Sequence, residues 1–504
     1  MNHRPRLAAL GLLLILPTGT RAGKLAGPVF YVSTTGDDSN PGTIKRPWRT
    51  IQHAADGAKA GSTISVRGGK YCELVTVNVS GDPSRFITFR SHPGETAILD
   101  AECLVPPEGR TALISIQNKS YIRIQGFEIR NYRSDDRRRT PAGIFVRGSG
   151  SHIELLNNNL HHIETNFQQK GSNAFGIAVY GTDARTPLSE LVIDGNQVHH
   201  LKTGASESLV VNGNVTNFRI TRNVVHDNNN IGIDVIGAER TAPDPSVDQA
   251  RDGVVSENLV YNITSRGNPA YGDVQNSDGI YVDGGARILI ERNIIHDVDF
   301  GIELASEHRG RTTSYITARN NLIYNCHTAG IAIGGYDEKR GGADHCVIVN
   351  NTLYNNDTSA TGTGEFHMQY YMTSNIFQNN IVYAGKHGRL TSSRSGSVDG
   401  NTPTVTMDYN LYFLPAGPQA SNWQWNRTNY TGFDNFVKAT GNDQHSRFAD
   451  PRFVNPAKNE FRLQTGSPAK DAGTNLGPSL IGARDLSGAP RVRAGKIDIG
   501  CYEK

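Results

Sequence analysis

Alternating apolar and polar positions recur along most of the chain in two sequence templates, which follow one another alternately. The first is an alternating run, then an Asn, two mostly apolar residues, and His or Tyr; it occupies 153–163, 191–201, 218–228, 253–263, 288–298, 316–326 and 346–356. The second is a four-residue strand that mostly begins with Gly-Ile; it occupies 143–146, 176–179, 208–211, 232–235, 279–282, 301–304 and 330–333. Period-two alternation predicts β-strands, and no helical pattern separates them.

The Asn of the first template predicts how these strands are arranged. It recurs as Asn158, Asn196, Asn223, Asn258, Asn293, Asn321, Asn351 and Asn380. Strands that recur in one direction without crossover helices must coil as a solenoid, and an amide at the same turn of every coil can donate and accept hydrogen bonds along a column. We therefore predict an all-β chain that forms a parallel β-helix.

The flanks of the repeat region predict a cap and a tail. Residues 49–71 carry a short helical pattern with apolar Ile51, Ala54 and Ala55, followed by Gly61. Such a helix would cover the open strand edges at the end of the coil. We divide the chain into a signal peptide at 1–22, a cap with the first coils at 28–110, the repeats that carry the candidate site at 111–385, and the last coils with a turn-rich C-terminal module at 386–504.

The N-terminus predicts export. "MNHRPR" is basic, "LAALGLLLILP" is apolar, and a cut after Ala22 is expected, which places the mature chain outside the cell or in the periplasm. That apolar core is too short for a membrane span, and no later segment is long enough. The net charge is +3 over 504 residues with scattered basic residues, which argues against nucleic acid as a partner. We expect a monomer.

The chain has five cysteines, Cys72, Cys103, Cys326, Cys346 and Cys501. None has the spacing of a zinc site. In an exported protein, Cys72–Cys103 and Cys326–Cys346 are candidate disulfides, which leaves Cys501 unpaired. With so few cysteines in so long a chain, the fold cannot depend on them.

Two terminal segments carry a family resemblance. The segment 30–73, which begins "FYVSTTGDDSNPGT", resembles the opening of secreted bacterial proteins of the pectate-lyase-like superfamily. "FRLQTGSPAKDAG" with "DIGCYE" resembles a C-terminal module common on such proteins, where Ala usually stands at the place of Cys501. The resemblance implies a right-handed β-helix and a carbohydrate-directed role. It leaves the reaction open, because the superfamily contains lyases, hydrolases, epimerases and non-catalytic adhesins.

Alignment of the second template gathers acids on one outward face. Since Ile280 and Val282 point into the core, the residues between and after them point outward. One outward column reads Phe145, Ala178, Val210, Asp234, Tyr281, Glu303 and Ala332, and the next reads Arg147, Tyr180, Asn212, Ile236, Asp283, Ala305 and Gly334. With coils about 4.8 Å apart, the carboxyl groups on three consecutive coils can approach to about 5–9 Å. Their repulsion would raise at least one pKa.

The first hypothesis for this face is glycoside hydrolysis. Asp283 would be the nucleophile or base, and Glu303 or Asp234 the proton donor. The residues expected to contact the sugar are Tyr281, Tyr271, His308, Arg309, Glu307 and Asn212. Asp278 is interpreted as a turn residue with at most a supporting role. This reaction requires no cofactor, and its substrate would be a polysaccharide or oligosaccharide.

Two other functions remain open from the sequence. In a calcium-assisted polysaccharide lyase, Asp234, Asp283, Asp278 and Glu303 would hold Ca²⁺ against a uronate carboxylate. Lyases of the superfamily place a Lys or Arg beside the acids, and no Lys stands there in these columns, so hydrolysis is slightly preferred. A non-catalytic glycan-binding solenoid would instead display aromatic platforms along the face.

Overall fold

The computed structural model describes residues 27–394 and 404–504, and the predicted signal peptide lies outside these ranges. The chain coils as a parallel β-helix, as the repeat predicts. Each coil adds one strand to each of three long sheets, which we number sheet 1, sheet 2 and sheet 3 in the order the chain visits them. Neighbouring strands of the coils are parallel and in register.

The strands of the three sheets have the following bounds. Sheet 1 contains Val29–Val32, Thr63–Val66, Ile87–Ser91, Ile122–Gln125, Gly150–Leu156, Leu188–Asp194, Val215–Thr221, Arg251–Ser256, Ala286–Glu291, Thr312–Ser314, Thr317–Arg319, Gly342–Asp344, Val347–Val349, Met372–Thr373, Asn375–Gln378 and Val405–Asp408. Sheet 2 contains Gly69–Tyr71, Ala97–Asp100, Glu128–Ser134, Asn159–Thr165, Gln197–His199, Val224–Asn228, Leu259–Ile263, Ile294–Val298, Leu322–Tyr324, Thr352–Tyr354, Ile381–Tyr383, Leu411–Phe413 and Arg447–Phe448. Sheet 3 contains Val75–Val77, Gly109–Gln117, Arg139–Gly148, Phe175–Gly181, Leu209–Gly213, Ile233–Ile236, Asp278–Asp283, Phe300–Ala305, Ala329–Ile333, Phe366–Met368, Arg389–Ser393, Asn422–Trp425 and Thr428–Thr431.

The predicted Asn column is a buried hydrogen-bonded ladder between sheets 1 and 2. The Nδ2 of Asn258 donates to the Oδ1 of Asn293 on the next coil at 3.0 Å, and also to the carbonyl of Ile220 at 3.0 Å. The backbone N–H of Asn258 donates to the same Oδ1 of Asn293. Because each amide is satisfied only by its neighbours above and below, the ladder fixes the register of successive coils.

The predicted N-terminal helix is present as Ile51–Gly57, with Thr50 accepting a hydrogen bond from the N–H of His53 as the N-cap. Ile51, Ala54 and Ala55 are buried, as the pattern predicts. The remaining helical segments are Phe433–Thr440, Pro478–Ile481 and the 3₁₀ turns Ala101–Cys103, Pro418–Ala420 and Pro456–Lys458. Within the described ranges, no helix has the length and hydropathy needed to cross a membrane.

One of the two candidate disulfides forms. Cys72 and Cys103 are bonded. The predicted Cys326–Cys346 bond is wrong, because both cysteines are free and fully buried. Cys326 follows a strand of sheet 2, whereas Cys346 precedes a strand of sheet 1, so the two thiols enter the core from different walls of the solenoid. Cys501 is also free.

The C-terminal segment packs sideways on sheet 2. It contains the antiparallel pair Phe453–Asn455 and Glu460–Leu463. The ring of Phe461 lies 5.1 Å from that of Tyr324 on the solenoid. The backbone N–H of Cys501 donates to Thr352 Oγ1 at 3.1 Å. This contact leaves sheet 3, with its acidic columns, uncovered by the tail.

Candidate functional site

The strand register of sheet 3 confirms the predicted column that contains Asp234, Tyr281 and Glu303, whereas in the neighbouring column Ile236 bridges Gly284 and not Asp283. Val210 pairs with Asp234, Asp234 with Tyr281, and Tyr281 with Glu303. Asp283 pairs with Ala305 in the neighbouring column. The acids therefore stand on three consecutive coils, as aligned from the sequence.

A cleft of about 480 Å³ lies over these coils. Its floor includes Asp278, Tyr281 and Glu303, and Tyr271, Glu307 and Tyr336 are among its walls. The other lining residues are Ile231, Gln275, Asn276, Phe300, Thr328, Thr361, Thr363, His367, Gln369 and Arg394. Among the described residues that line the cleft there is no lysine, and its one guanidinium is that of Arg394. The cleft thus combines carboxyl groups with tyrosine rings, which suits a sugar ring and a proton transfer.

Asp278 is not the turn residue that the sequence suggested. It is the first residue of its strand, only 2 % exposed, and its carboxyl group hydrogen-bonds to that of Glu303. Two carboxyl groups can make this contact only if one carries a proton, and burial followed by the charge of Glu303 raises the pKa of Asp278 well above its usual range. Asp278 therefore donates the proton, and Glu303 accepts it.

Glu303 is an acid of the cleft floor whose pKa lies near neutrality. Burial raises the pKa of Glu303 to about 7, against the opposing effect of the hydrogen bonds from Asp278 and Gln369. The Nε2 of Gln369 donates to Glu303 Oε1 at 2.6 Å. Half of the Glu303 side chains would hold a proton at pH 7, so this residue can give or take one under ordinary conditions.

Asp283 lies beside the cleft, next to two of its walls. Its Oδ1 accepts a hydrogen bond from the backbone N–H of Glu307 at 2.7 Å. Burial, and then the charge of Glu307, raise the pKa of Asp283 well above its usual range. The charge of Asp283 also contributes to the raised pKa of Tyr336, which lines the cleft. A buried carboxylate with a single hydrogen bond is a stronger base than an exposed one.

The remaining predicted residues divide into two groups. Tyr271, Tyr281 and Glu307 line the cleft. Asn212 is fully buried and donates to Glu239 Oε2 at 2.8 Å, and it is not a lining residue. Neither the exposed Arg309 nor the predicted sugar-contact residue His308 lines the cleft.

Asp234 is buried without compensation. It is 2 % exposed, and its Oδ1 has no hydrogen-bond partner among the described residues. Burial, followed by the charges of Glu207 and Asp283, raises the pKa of Asp234.

The four residues expected to hold calcium are not gathered around one point. Asp283 instead has a donor atom grouped with those of Glu239 and His308, all within 4.8 Å of one another. Asp278 and Glu303 are occupied with each other. Calcium takes six to eight oxygen ligands, whereas this group contains an imidazole nitrogen and an exposed glutamate. The donor set does not fit calcium.

Sequence reasoning missed the residues that later coils contribute. His367 lies in the same column as Glu303, since Glu303 pairs with Ala332 and Ala332 with His367. Gln369, two residues on, binds Glu303. Alignment of "FHMQ" (366–369) as one more second-template strand would have found both.

Family models and known proteins resemble this chain over most of its length. Residues 30–186 match the model described as "Pel9A-like, right handed beta helix region", and residues 208–403 match "Right handed beta helix region". The uncharacterized protein YwoF of Bacillus subtilis is 41 % identical over 445 residues, which are 88 % of this chain and 92 % of YwoF.

Two further similarities are more partial. Pectate lyase PEL9 of Emericella nidulans is 32 % identical over 155 residues, covering 30 % of this chain and 38 % of that protein. The crystal structure of the GH136 lacto-N-biosidase of Eubacterium ramulus superposes with a TM-score of 0.50 at 12 % identity, covering 77 % of this chain and 64 % of that one. The latter likeness is one of fold.

Proposed function

Because this chain belongs to the right-handed β-helix proteins of the pectate-lyase-like superfamily, together with YwoF, we propose that it is a carbohydrate-active enzyme that hydrolyses glycosidic bonds. The names of two similar proteins, a pectate lyase and a lacto-N-biosidase, support a carbohydrate substrate. The choice of hydrolysis comes from the cleft itself.

The observation that carries the proposal is the state of Glu303. It lies on the floor of an open cleft with a pKa of about 7 because of its burial. A general acid must hold its proton until the leaving oxygen needs it, and a pKa near the working pH meets this condition. After transfer, the new carboxylate is stabilised by hydrogen bonds from Asp278 and Gln369.

Asp283 is the second carboxylate of the proposed reaction. Glu303 would protonate the glycosidic oxygen as the bond to the anomeric carbon breaks. Asp283 would either attack that carbon or take a proton from the attacking water. Its raised pKa makes it a strong base once ionised, and the N–H of Glu307 holds it in place. The electron pair of the broken bond leaves on the protonated oxygen.

The tyrosines give the cleft its affinity for a sugar. Tyr281 stands directly between Asp234 and Glu303 in the column, while Tyr271 and Tyr336 are in the walls. Aromatic rings pack against the apolar faces of pyranose rings. A saccharide unit bound there would place its glycosidic oxygen near Glu303.

Calcium-assisted β-elimination is the second candidate, and the similarity to pectate lyase PEL9 favours it. Two features of the described site oppose it. The donor group around Asp283 does not fit calcium, and of the Lys or Arg side chains that could remove the proton next to the uronate carboxylate, the described lining residues offer only Arg394 and no lysine. We derive no step through calcium.

The test is incubation of the purified protein with a panel of polysaccharides and oligosaccharides, with and without EDTA. Hydrolysis predicts new reducing ends, no ultraviolet absorbance from an unsaturated uronate, and rates within about twofold with EDTA present. New absorbance that EDTA abolishes would refute hydrolysis and establish the lyase. No cleavage of any substrate, but saturable binding, would favour a glycan-binding solenoid.

Matched variants locate the site. Glu303→Gln and Asp283→Asn should each lose activity by at least about a hundredfold. Glu190→Gln, which changes an exposed acid on sheet 1, should retain the wild-type rate. Full activity of Asp283→Asn would remove that residue from the mechanism.

A further inference from the structure

Sheet 2 carries a column of aromatic and imidazole rings on the outside of the solenoid. His161 pairs with His199, His199 with His226, and His226 with Tyr261. The rings stack in this order with centroids 5.1, 4.8 and 4.7 Å apart. This column is the His-or-Tyr position of the first sequence template, and the proposed hydrolytic site does not use it.

A second column runs beside the first. Its members directly follow those of the first column in sequence and are His162, His200 and Asp227, each at a left-handed turn with φ between 54° and 56°. On the first two coils, the neighbouring imidazoles touch: His161 Nδ1 lies 2.7 Å from His162 Nδ1, and His199 Nδ1 lies 2.7 Å from His200 Nδ1. On the third coil an aspartate replaces the outer histidine, and His226 Nδ1 lies 2.6 Å from Asp227 Oδ2.

This replacement brings two imidazole nitrogens and one carboxylate oxygen close together. Donor atoms of His200, His226 and Asp227 all lie within 4.8 Å of one another. His200 and Asp227 also line a groove of about 450 Å³, so the group is open to solvent. His226 is anchored by its stack, with the side chain 14 % exposed.

We propose that His200, His226 and Asp227 bind one divalent transition-metal ion of the zinc class. Two imidazoles and one carboxylate are a donor set that Zn²⁺, Ni²⁺ and Co²⁺ accept, whereas calcium and magnesium prefer oxygen alone. Ligand bonds of about 2.0–2.2 Å put the donors of one ion roughly 3.5 Å apart, which small side-chain rotations reach from the present positions. The open side toward the groove leaves room for water as a further ligand.

The two acidic and two basic side chains that line the groove balance one another, so together they do not repel a cation. Glu164 lines it together with Asp227. Two cationic side chains, Lys202 and Arg266, also line it, and Lys202 Nζ lies 3.6 Å from Glu164 Oε2. The ion would join two adjacent coils, because His200 follows one strand of sheet 2 while His226 and Asp227 belong to the next. Binding would therefore resist separation of these coils.

The test uses the full chain, freed of metal by dialysis against a chelator. Zn²⁺ binding is measured by calorimetry, and Co²⁺ binding by its visible absorption. We expect one ion per chain, a rise in Tm with Zn²⁺, and no competition from Ca²⁺ or Mg²⁺. His200→Ala and Asp227→Asn should each weaken Zn²⁺ binding at least tenfold, and both residues lie at surface turns, so the fold is retained.

The matched control is His345→Ala. His345 forms the same kind of exposed pair, with Nδ1 2.8 Å from Asp344 Oδ1, on sheet 1. Its loss should leave the Zn²⁺ affinity unchanged within twofold. The proposal fails if no saturable Zn²⁺ binding is found, if His345→Ala weakens binding as much as His200→Ala, or if the double variant of His200 and Asp227 still binds Zn²⁺ as tightly as wild type.

Discussion

Replacement of Glu303 by Gln separates the catalytic use of this residue from its structural cost. Gln has the same shape and still reaches Gln369 and Asp278, but it cannot release a proton. Loss of general acid catalysis costs about 10²- to 10⁴-fold in rate. We therefore expect the hydrolytic rate of Glu303→Gln to fall by at least a hundredfold.

The pH profile provides a sharper check. With a pKa of about 7 for Glu303, nearly all molecules hold the proton at pH 5 and roughly one in ten at pH 8. The wild-type rate should fall about tenfold per pH unit above pH 7. The residual activity of Glu303→Gln should not show this fall in rate above pH 7. Reducing-end assays of both proteins from pH 5 to pH 9 measure the two pH profiles.

Glu303→Gln should lower the rate but raise the stability of the fold at alkaline pH. Burial raises the pKa of Glu303 from 4.5 to about 7 in the folded state. The proton therefore stabilises the fold below pH 4.5, and this contribution is lost as the pH rises through 7. At about 1.4 kcal/mol per unit, the ionised side chain costs roughly 3 kcal/mol of unfolding free energy at pH 8. Glu303→Gln should thus raise Tm relative to wild type at pH 8 but not at pH 4.

Two results would refute this reasoning. An unaltered alkaline limb in Glu303→Gln would mean that another group supplies the proton. A variant that is both inactive and less stable than wild type at pH 8 would mean that Glu303 is a structural residue. Removal of a costly buried charge should raise stability at this pH, so the loss of activity would then come from a damaged fold.

Three further substitutions test the scaffold. Asn258→Ala should lower the unfolding free energy by more than about 3 kcal/mol, because it leaves buried ladder partners unpaired. Urea unfolding measures this change, and an unchanged midpoint urea concentration would contradict a stabilising role of the ladder. Cys72→Ser should cost about 3–4 kcal/mol, since the bond to Cys103 closes a loop with a sequence separation of 31; the same loss on reduction of the wild type is the check. Asp234→Asn should raise the unfolding free energy at pH 8 by about 1–3 kcal/mol, because the raised pKa of Asp234 makes its ionisation costly in the folded state. Tm should rise accordingly at pH 8 and stay unchanged near pH 4. A lower Tm of the variant at pH 8 would show that the charge of Asp234 is compensated.

The fold was predictable because one residue type marks the same turn on most of the central coils. The Asn positions identified eight of these turns, and the Gly-Ile strands between them gave the outward column through Asp234, Tyr281 and Glu303 that the register confirms. The first described coils carry no ladder Asn, and Asn410, which extends the ladder beyond Asn380, was not predicted. Period-two alternation then decided which face of each strand is buried, as Ile280 and Val282 illustrate.

The cleft was less predictable, for two physical reasons. The contact between Asp278 and Glu303 joins the start of one strand to the middle of the next, and its geometry depends on the turn that precedes the strand. Gln369 and Arg394 come from coils where the template is weak. Cys326 and Cys346 illustrate a third reason, since spacing in sequence does not reveal which wall of the solenoid a residue enters from.

The Asn ladder has a consequence for the evolution of this chain. Successive ladder partners from Asn158 to Asn293 are 38, 27, 35 and 35 residues apart, yet the columns stay in register. Insertions between coils are therefore absorbed by loops and do not shift the carboxyl groups. Under the proposed function, a change in the cleft walls would change the preferred glycan while the acids stay in place. In the laboratory, a graft of the 264–276 loop from a relative should alter substrate choice without loss of the fold.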